Sequence, residues 1–226
     1  MKIIKDFRAF KSEVENSDGN SHPSSFQDKT FHIILRRLAM KLNEADFSLG
    51  EFDHLYINFS TCLNEGLIRP ANRKIDRYHP WYRYYDIGVS QKLYDDLGEN
   101  DCTAFAIDGV KQILLNFFAT DESSKKLVNE SVEKVMTEGA EMLVRYKEKQ
   151  AAKTKATVYL RLLDNGYYSP LLCVYDLENN EILREDLPAT LETSLIGNIQ
   201  LSSRRVTVKP KKNVLTQDLN PISFEF

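Results

Sequence analysis

The chain lacks the short motifs by which the commonest catalytic and cofactor sites are recognised. There is no GxGxxG and no GxxxxGK followed by Ser or Thr, which excludes nucleotide binding through those glycine-rich loops. No GxSxG marks a nucleophile elbow. No HxxxH, HxH or CxxC places two metal ligands at working spacing, so no metal and no cofactor is expected. Cysteine is scarce: Cys62, Cys102 and Cys173 are odd in number and far apart. That argues against a disulfide framework and for free thiols in a reducing compartment. No stretch approaches the ~18 consecutive apolar residues of a membrane span. The opening MKIIKDFRAFKSEVEN has no hydrophobic region of a signal peptide. A cytoplasmic protein that avoids membranes is therefore expected. Neither charge sign dominates, with 30 Lys and Arg against 33 Asp and Glu. Such a balance gives no global drive toward nucleic acid or anionic lipid.

What is present is enough apolar material for a substantial core, 42% of 226 residues. Phe31, Ile34, Leu35, Leu38 and Leu42 recur at helical spacing and predict a helix over 30–45. Residues 52–59 alternate and favour a strand, and Trp81–Val89 returns as a second. Helical spacing reappears at 103–119 behind a possible N-cap at Asp101. It appears again after Asp121, where Val128, Val132, Val135, Gly139, Leu143 and Tyr146 form one stripe running to Gln150. Beyond Lys155 the period falls to two. Strands are predicted at 156–163 and 167–177 around an Asn165-Gly166 turn, then at 181–187, 193–201 and 205–209. Helices followed by a run of strands indicate an α+β fold, with amphipathic helices on a mainly antiparallel sheet and a C-terminal meander. The pattern indicates one domain, 1–226: an N-terminal segment and polar loop over 1–30, and an irregular tail over 210–226. The two central helices are expected on the C-terminal sheet.

The richest stretch is 69–86, RPANRKIDRYHPWYRYYD. It holds the only tryptophan, Trp81, with Tyr78, Tyr82, Tyr84 and Tyr85, and the basic residues Arg69, Arg73, Lys74, Arg77 and Arg83. Aromatic and arginine side chains give contact area at low entropic cost, as binding surfaces require. The same composition also staples a long loop onto its own sheet. His79, between Tyr78 and Pro80, fits a general base or a stacking partner; the balance favours a histidine that orders the loop. The candidate binding or loop-ordering residues are therefore Arg69, Arg73, Arg77, Tyr78, His79, Trp81, Tyr82 and Arg83. Candidate acidic partner-facing patches are Asp95, Asp96, Glu99 and Asp101, and the face bearing Glu122, Glu130, Glu133 and Glu138. Each is equally an ordinary solvated surface. No catalytic residue is assigned.

Two runs within residues 52–98, DHLYINFSTCLNEGLIRP and RKIDRYHPWYRYYDIGVS, resemble small bacterial immunity proteins encoded beside polymorphic or contact-dependent toxins. The resemblance implies a cytoplasmic, single-domain, non-catalytic protein that binds one cognate toxin domain and blocks its active site or its assembly. No toxin-contact residue is carried over, because in such families the contact surface diversifies with the toxin. The alternative is a nucleic-acid-associated protein using 69–86, with bases on the rings and phosphates on the arginines. The acidic balance and the Asp residues interleaved with the arginines weigh against it. Composition leaves the oligomeric state open.

Overall fold

Phe7 and Ala9 alternate with Arg8 and Phe10, and this short N-terminal run is a strand, β1 (Asp6–Ser12), rather than an isolated segment. The computed structural model describes residues 1–12, 24–25, 29–71, 77–97, 103–216 and 218–226. Where the sequence reads as one domain, the chain divides into two compact units, Met1–Gly139 and Ala140–Phe226. The fold class is α+β, as the patterning predicts.

After β1 come β2 (Ser24–Ser25), α1 (Lys29–Glu44), β3 (His54–Ser60), β4 (Ile68–Pro70) and β5 (Tyr82–Gly88). They form one sheet in the order β2-β1-β3-β5-β4. β1 and β3 pair in parallel, and so do β3 and β5, while β2 and β4 close the edges antiparallel. The expected strand pair joined by the aromatic loop is thus a parallel pair. Parallel neighbours start at the same end of the sheet, so the chain leaving Ser60 must travel back the length of a strand, ~23 Å, before β5 begins. β4, antiparallel to β5 with Ile68 opposite Ile87 and Pro70 opposite Tyr85, makes the first part of that return.

Three more helices complete the unit: α2 (Gln91–Asp96), α3 (Thr103–Phe117) and α4 (Glu122–Glu138). α1 packs against β1, and α4 packs against both α1 and α3. α3 lies on the N-terminal sheet, not on the C-terminal one as expected. Gly109 approaches Ile87 and Phe59, and the Tyr85 ring meets Phe117 at 4.8 Å. The helices bury the strand face bearing Phe7, Ala9, Leu55, Ile57, Phe59, Tyr85 and Ile87. Leu35, Leu38 and Leu42 of α1 and Ile107, Val110 and Leu114 of α3 are buried on the helix side, and Val128 and Val135 are buried on α4, which packs on those two helices.

α4 begins at a capping box in which Asp121 and Ser124 satisfy each other's backbone N–H groups. It ends at Gly139, φ 53°, well before the predicted Gln150. A positive φ is where glycine stops a helix. The chain then enters β6 (Val144–Gln150), so Lys147 and Lys149 stand on a strand and not at a helix C-terminus.

The second unit holds a four-stranded antiparallel sheet, β6, β7 (Thr154–Leu162), β8 (Tyr168–Asp176) and β9 (Glu181–Asp186), in sequence order. The Asn165-Gly166 turn joins β7 to β8, with Gly166 at φ 84°. A separate sheet holds β10 (Asn198–Leu201), β11 (Arg205–Lys209) and β12 (Ile222–Glu225). The predicted strand over 193–201 is therefore shorter, its first residues forming a 3-10 turn. The tail is not irregular either, because Ile222 and Phe224 alternate with Ser223 and Glu225 and pair with β11.

Candidate functional site

The face of the N-terminal sheet opposite the helices carries the aromatic residues. Parallel register sets three rows side by side: Asp6, His54 and Tyr82; Arg8, Tyr56 and Tyr84; Phe10, Asn58 and Asp86. Side chains alternate between faces along a strand. The tyrosine-rich YRYYD is thereby split, with Tyr82, Tyr84 and Asp86 on this face and Arg83 and Tyr85 on the other.

Tyr56 is the hub. Its ring lies 5.6 Å from Phe10 and nearly parallel to it, 4.9 Å from Tyr82 and 5.0 Å from Tyr84. The Arg8 guanidinium sits over the same ring at 5.6 Å. Tyr82 in turn has His79 stacked at 4.7 Å and His54 tilted at 4.7 Å, so one phenol ring touches two imidazoles. Each such ring pair contributes about 0.5–1.5 kcal/mol beyond the area it buries. Burial pushes the Tyr56 phenol up from its usual range, and its hydrogen bond with Tyr82 adds to the rise against the pull of Arg8. The Tyr56 hydroxyl therefore stays protonated at physiological pH and can donate.

The charges on this face are paired. Arg8 Nε donates to Asp6 Oδ2 at 2.9 Å, and Arg69 stands 3.7 Å from buried Asp86. Asn58 Nδ2 donates to Asp86 Oδ1 at 3.2 Å. Beside the first row, Asp53 is 3% exposed and holds two partners, Lys5 at 2.8 Å and His54 Nδ1 at 2.7 Å. Burial raises the carboxyl's pKa, but the bonds from Lys5 and His54 outweigh it and hold Asp53 below the ordinary aspartate value of 3.8. A depressed pKa stabilises the fold above the unfolded value and ceases to do so as pH falls through the folded one. Asp53→Asn is therefore expected to lower stability by about 1–3 kcal/mol at pH 7. The gap from wild type should close below about pH 4. Urea midpoints across that range check it; a gap independent of pH would contradict the assignment.

The residues singled out from the sequence divide. Tyr82 and His79 join the aromatic face, and Trp81 stands edge-on to both, 6.2 Å and 5.9 Å away. Arg69 joins it through Asp86. Arg83 does not: its guanidinium covers Phe52 at 5.4 Å and Tyr85 at 5.9 Å. Arg77 is exposed, and Tyr78 is 84% exposed. Asp95 and Asp96 are exposed on α2, where Gln91 donates to Asp95. The acids of α4 alternate with lysines: Glu122 with Lys125 at 2.8 Å, Glu130 with Lys126 at 3.6 Å and Glu138 with Lys134 at 3.7 Å. That face is a mixed solvated helix surface and not a concentrated negative patch. Arg73, Glu99, Asp101 and Cys102 lie outside the described residues. Arg8, Phe10, His54 and Tyr56 belong to the face and were not among the candidates. The pairing of Asp53 with His54 was the one local signal that could have marked it.

Among the described residues, no cluster of three or more His, Cys, Asp or Glu could hold a metal, and no helix is long and apolar enough to cross a membrane. The class of protein defined so far is an α+β chain with an aromatic sheet face. Compared with protein-family models, with curated proteins and with solved structures, the chain has no match.

Proposed function

We propose that this chain is a non-catalytic, cytoplasmic immunity protein that binds a cognate bacterial toxin domain stoichiometrically, and that the contact surface is the aromatic face centred on Tyr56. The observation that supports this most is the row Arg8, Tyr56, Tyr84 with Phe10 and Tyr82 around it. A sheet face with no role beyond folding is expected to be polar and solvated. The tyrosines are half-buried and the exposed Arg8 lies over Tyr56, and tyrosine and arginine are among the residue types that dominate protein–protein binding energy. The rings are already stacked, so association orders few rotamers. The resemblance over 52–98 gives the class of partner.

A second reading is favoured by the same rings, since sheet-borne aromatics also stack unpaired bases. Against it, Arg8 and Arg69 are held by Asp6 and Asp86 and present little free charge to phosphate. The test is capture of the tagged chain from nuclease-treated extract of its source cells, followed by expression of the retained protein. One stoichiometric partner is expected, which arrests growth when expressed alone and is harmless when co-expressed with this chain. Retained material that vanishes with nuclease, together with steeply salt-dependent retention on single-stranded DNA resin, would establish the second reading instead.

A further inference from the structure

The N-terminal segment forms one wall of an open cleft beside the start of β3. Ile3 bridges Ser48, the Lys2 amide donates to the Gly50 carbonyl at 2.7 Å, and the Lys5 amide donates to the Asp53 carbonyl at 2.7 Å. The Asp53 amide in turn donates to the Trp81 carbonyl at 3.0 Å, which brings the tryptophan to the same place. The cleft measures about 600 Å³, and Met1, Lys2, Ile3, Lys5, Asn43, Asp53 and Trp81 line it. That is the size of a small-molecule site, roughly 300–1,000 Å³.

Its charge is unbalanced. The Asp53 carboxylate is fully engaged by Lys5 and His54, and its side chain is only 4% exposed. Lys2 rests 4.8 Å above the Trp81 ring, and no carboxylate among the described residues pairs with it. The Lys5 side chain is 64% exposed, so its ammonium keeps donors for a ligand after bonding Asp53. Among the described lining residues the wall therefore carries more positive charge than its one carboxylate neutralises, next to a flat apolar surface. We propose that this cleft binds a small organic carboxylate with a planar ring, the ring lying on Trp81 and the carboxylate meeting the Lys2 and Lys5 ammonium groups. Lys2 moves off the indole to do so, a rotation of a long, unbranched side chain that exchanges a cation–π contact for a charge-assisted hydrogen bond. A cationic ligand fits less well, because Asp53, the one carboxylate among the described lining residues, already has two donors.

Binding in this cleft does not depend on the toxin reading. Trp81 is the chain's only tryptophan, so all tryptophan emission comes from a residue of this wall, and the Lys2→Gln arm below ties any change to the cleft. The purified full chain is titrated with benzoate and, as the neutral analogue of the same shape, benzamide. Benzoate is expected to change the emission saturably, and benzamide to leave it unchanged over the same concentrations. Lys2→Gln should raise the benzoate half-saturation about tenfold, the loss of one hydrogen bond to a charged group. Lys5→Gln is a weaker test, because it also strips Asp53 of a partner. A linear, collisional loss of emission, an equal response to benzamide, or an unchanged half-saturation in Lys2→Gln each overturns the proposal.

Discussion

Gly88→Ala is expected to destabilise the N-terminal unit by about 3 kcal/mol or more. A Cβ at Gly88 would stand 1.9 Å from the Asn64 carbonyl oxygen and 2.8 Å from its carbon. Both atoms are backbone, so no side-chain rotation relieves the clash. The turn they belong to is tied down on both sides: Gly66 N–H donates to the Gly88 carbonyl at 2.9 Å, and Gly88 N–H donates to the Leu67 carbonyl at 2.8 Å. Making room means peeling this turn from β5, and with it the β4 pairing that sets Arg69 beside Asp86. Gly109→Ala is the contrast. There the nearest atom is Ile87 Cδ1 at 2.8 Å, the far end of a side chain, and alanine gains about 1 kcal/mol over glycine inside a helix. The two urea midpoints should separate clearly, with Gly109→Ala within about 1 kcal/mol of wild type. Equal midpoints would mean that the turn yields as easily as a methyl group.

The elements that were legible from the sequence are those whose signal is local. α1 and α3 follow from apolar residues three and four apart, and the β7–β8 hairpin follows from Asn165-Gly166. The helical stripe predicts α4 as far as Gln150 because Leu143 and Tyr146 happen to continue it past Gly139. Nothing in the periodicity shows that Gly139 sits at a positive φ and ends the helix. β1 escaped notice for the opposite reason. Its alternation puts an aromatic on each face, Phe7 inward and Phe10 outward, so neither face reads as purely apolar, and its partner β3 lies beyond a whole helix. β12 is four residues long and makes sense only once β11 is beside it.

The same limit governed the candidate site. The aromatic concentration of 78–85 is visible as composition, and the structure pairs one arginine of the stretch, Arg69, with Asp86 at 3.7 Å. The cluster itself draws on three strands. Arg8, Phe10, His54 and Tyr56 meet Tyr82 and Tyr84 only because β1, β3 and β5 run parallel in one register. A strand's period of two could have sorted Tyr82 and Tyr84 from Arg83 and Tyr85 in advance. Parallel pairing could not have been read that way, since it depends on a crossover and on no turn motif.

Under the immunity reading, Tyr56→Ala is expected to weaken toxin binding by at least about 2 kcal/mol, roughly 30-fold in Kd. The ring is the centre of the face and touches Phe10, Tyr82, Tyr84 and Arg8. Removing it takes away contact area and also frees its four neighbours, which association must then order again. Stability falls as well, since the neighbouring rings lose their stacking partner, so the measurement is made well below the variant's melting temperature. Tyr56→Phe separates the causes. It keeps the ring and loses the hydroxyl bonded to Tyr82, and is expected to retain most of the affinity. Lys126→Ala, on the solvated face of α4, removes only an exposed 3.6 Å ion pair and should change binding by less than about 0.5 kcal/mol. A folded Tyr56→Ala chain that binds the toxin as tightly as wild type would move the contact surface elsewhere. The aromatic cluster would then serve the fold, as a set of rings that fixes three parallel strands to one another on the face opposite the described helices.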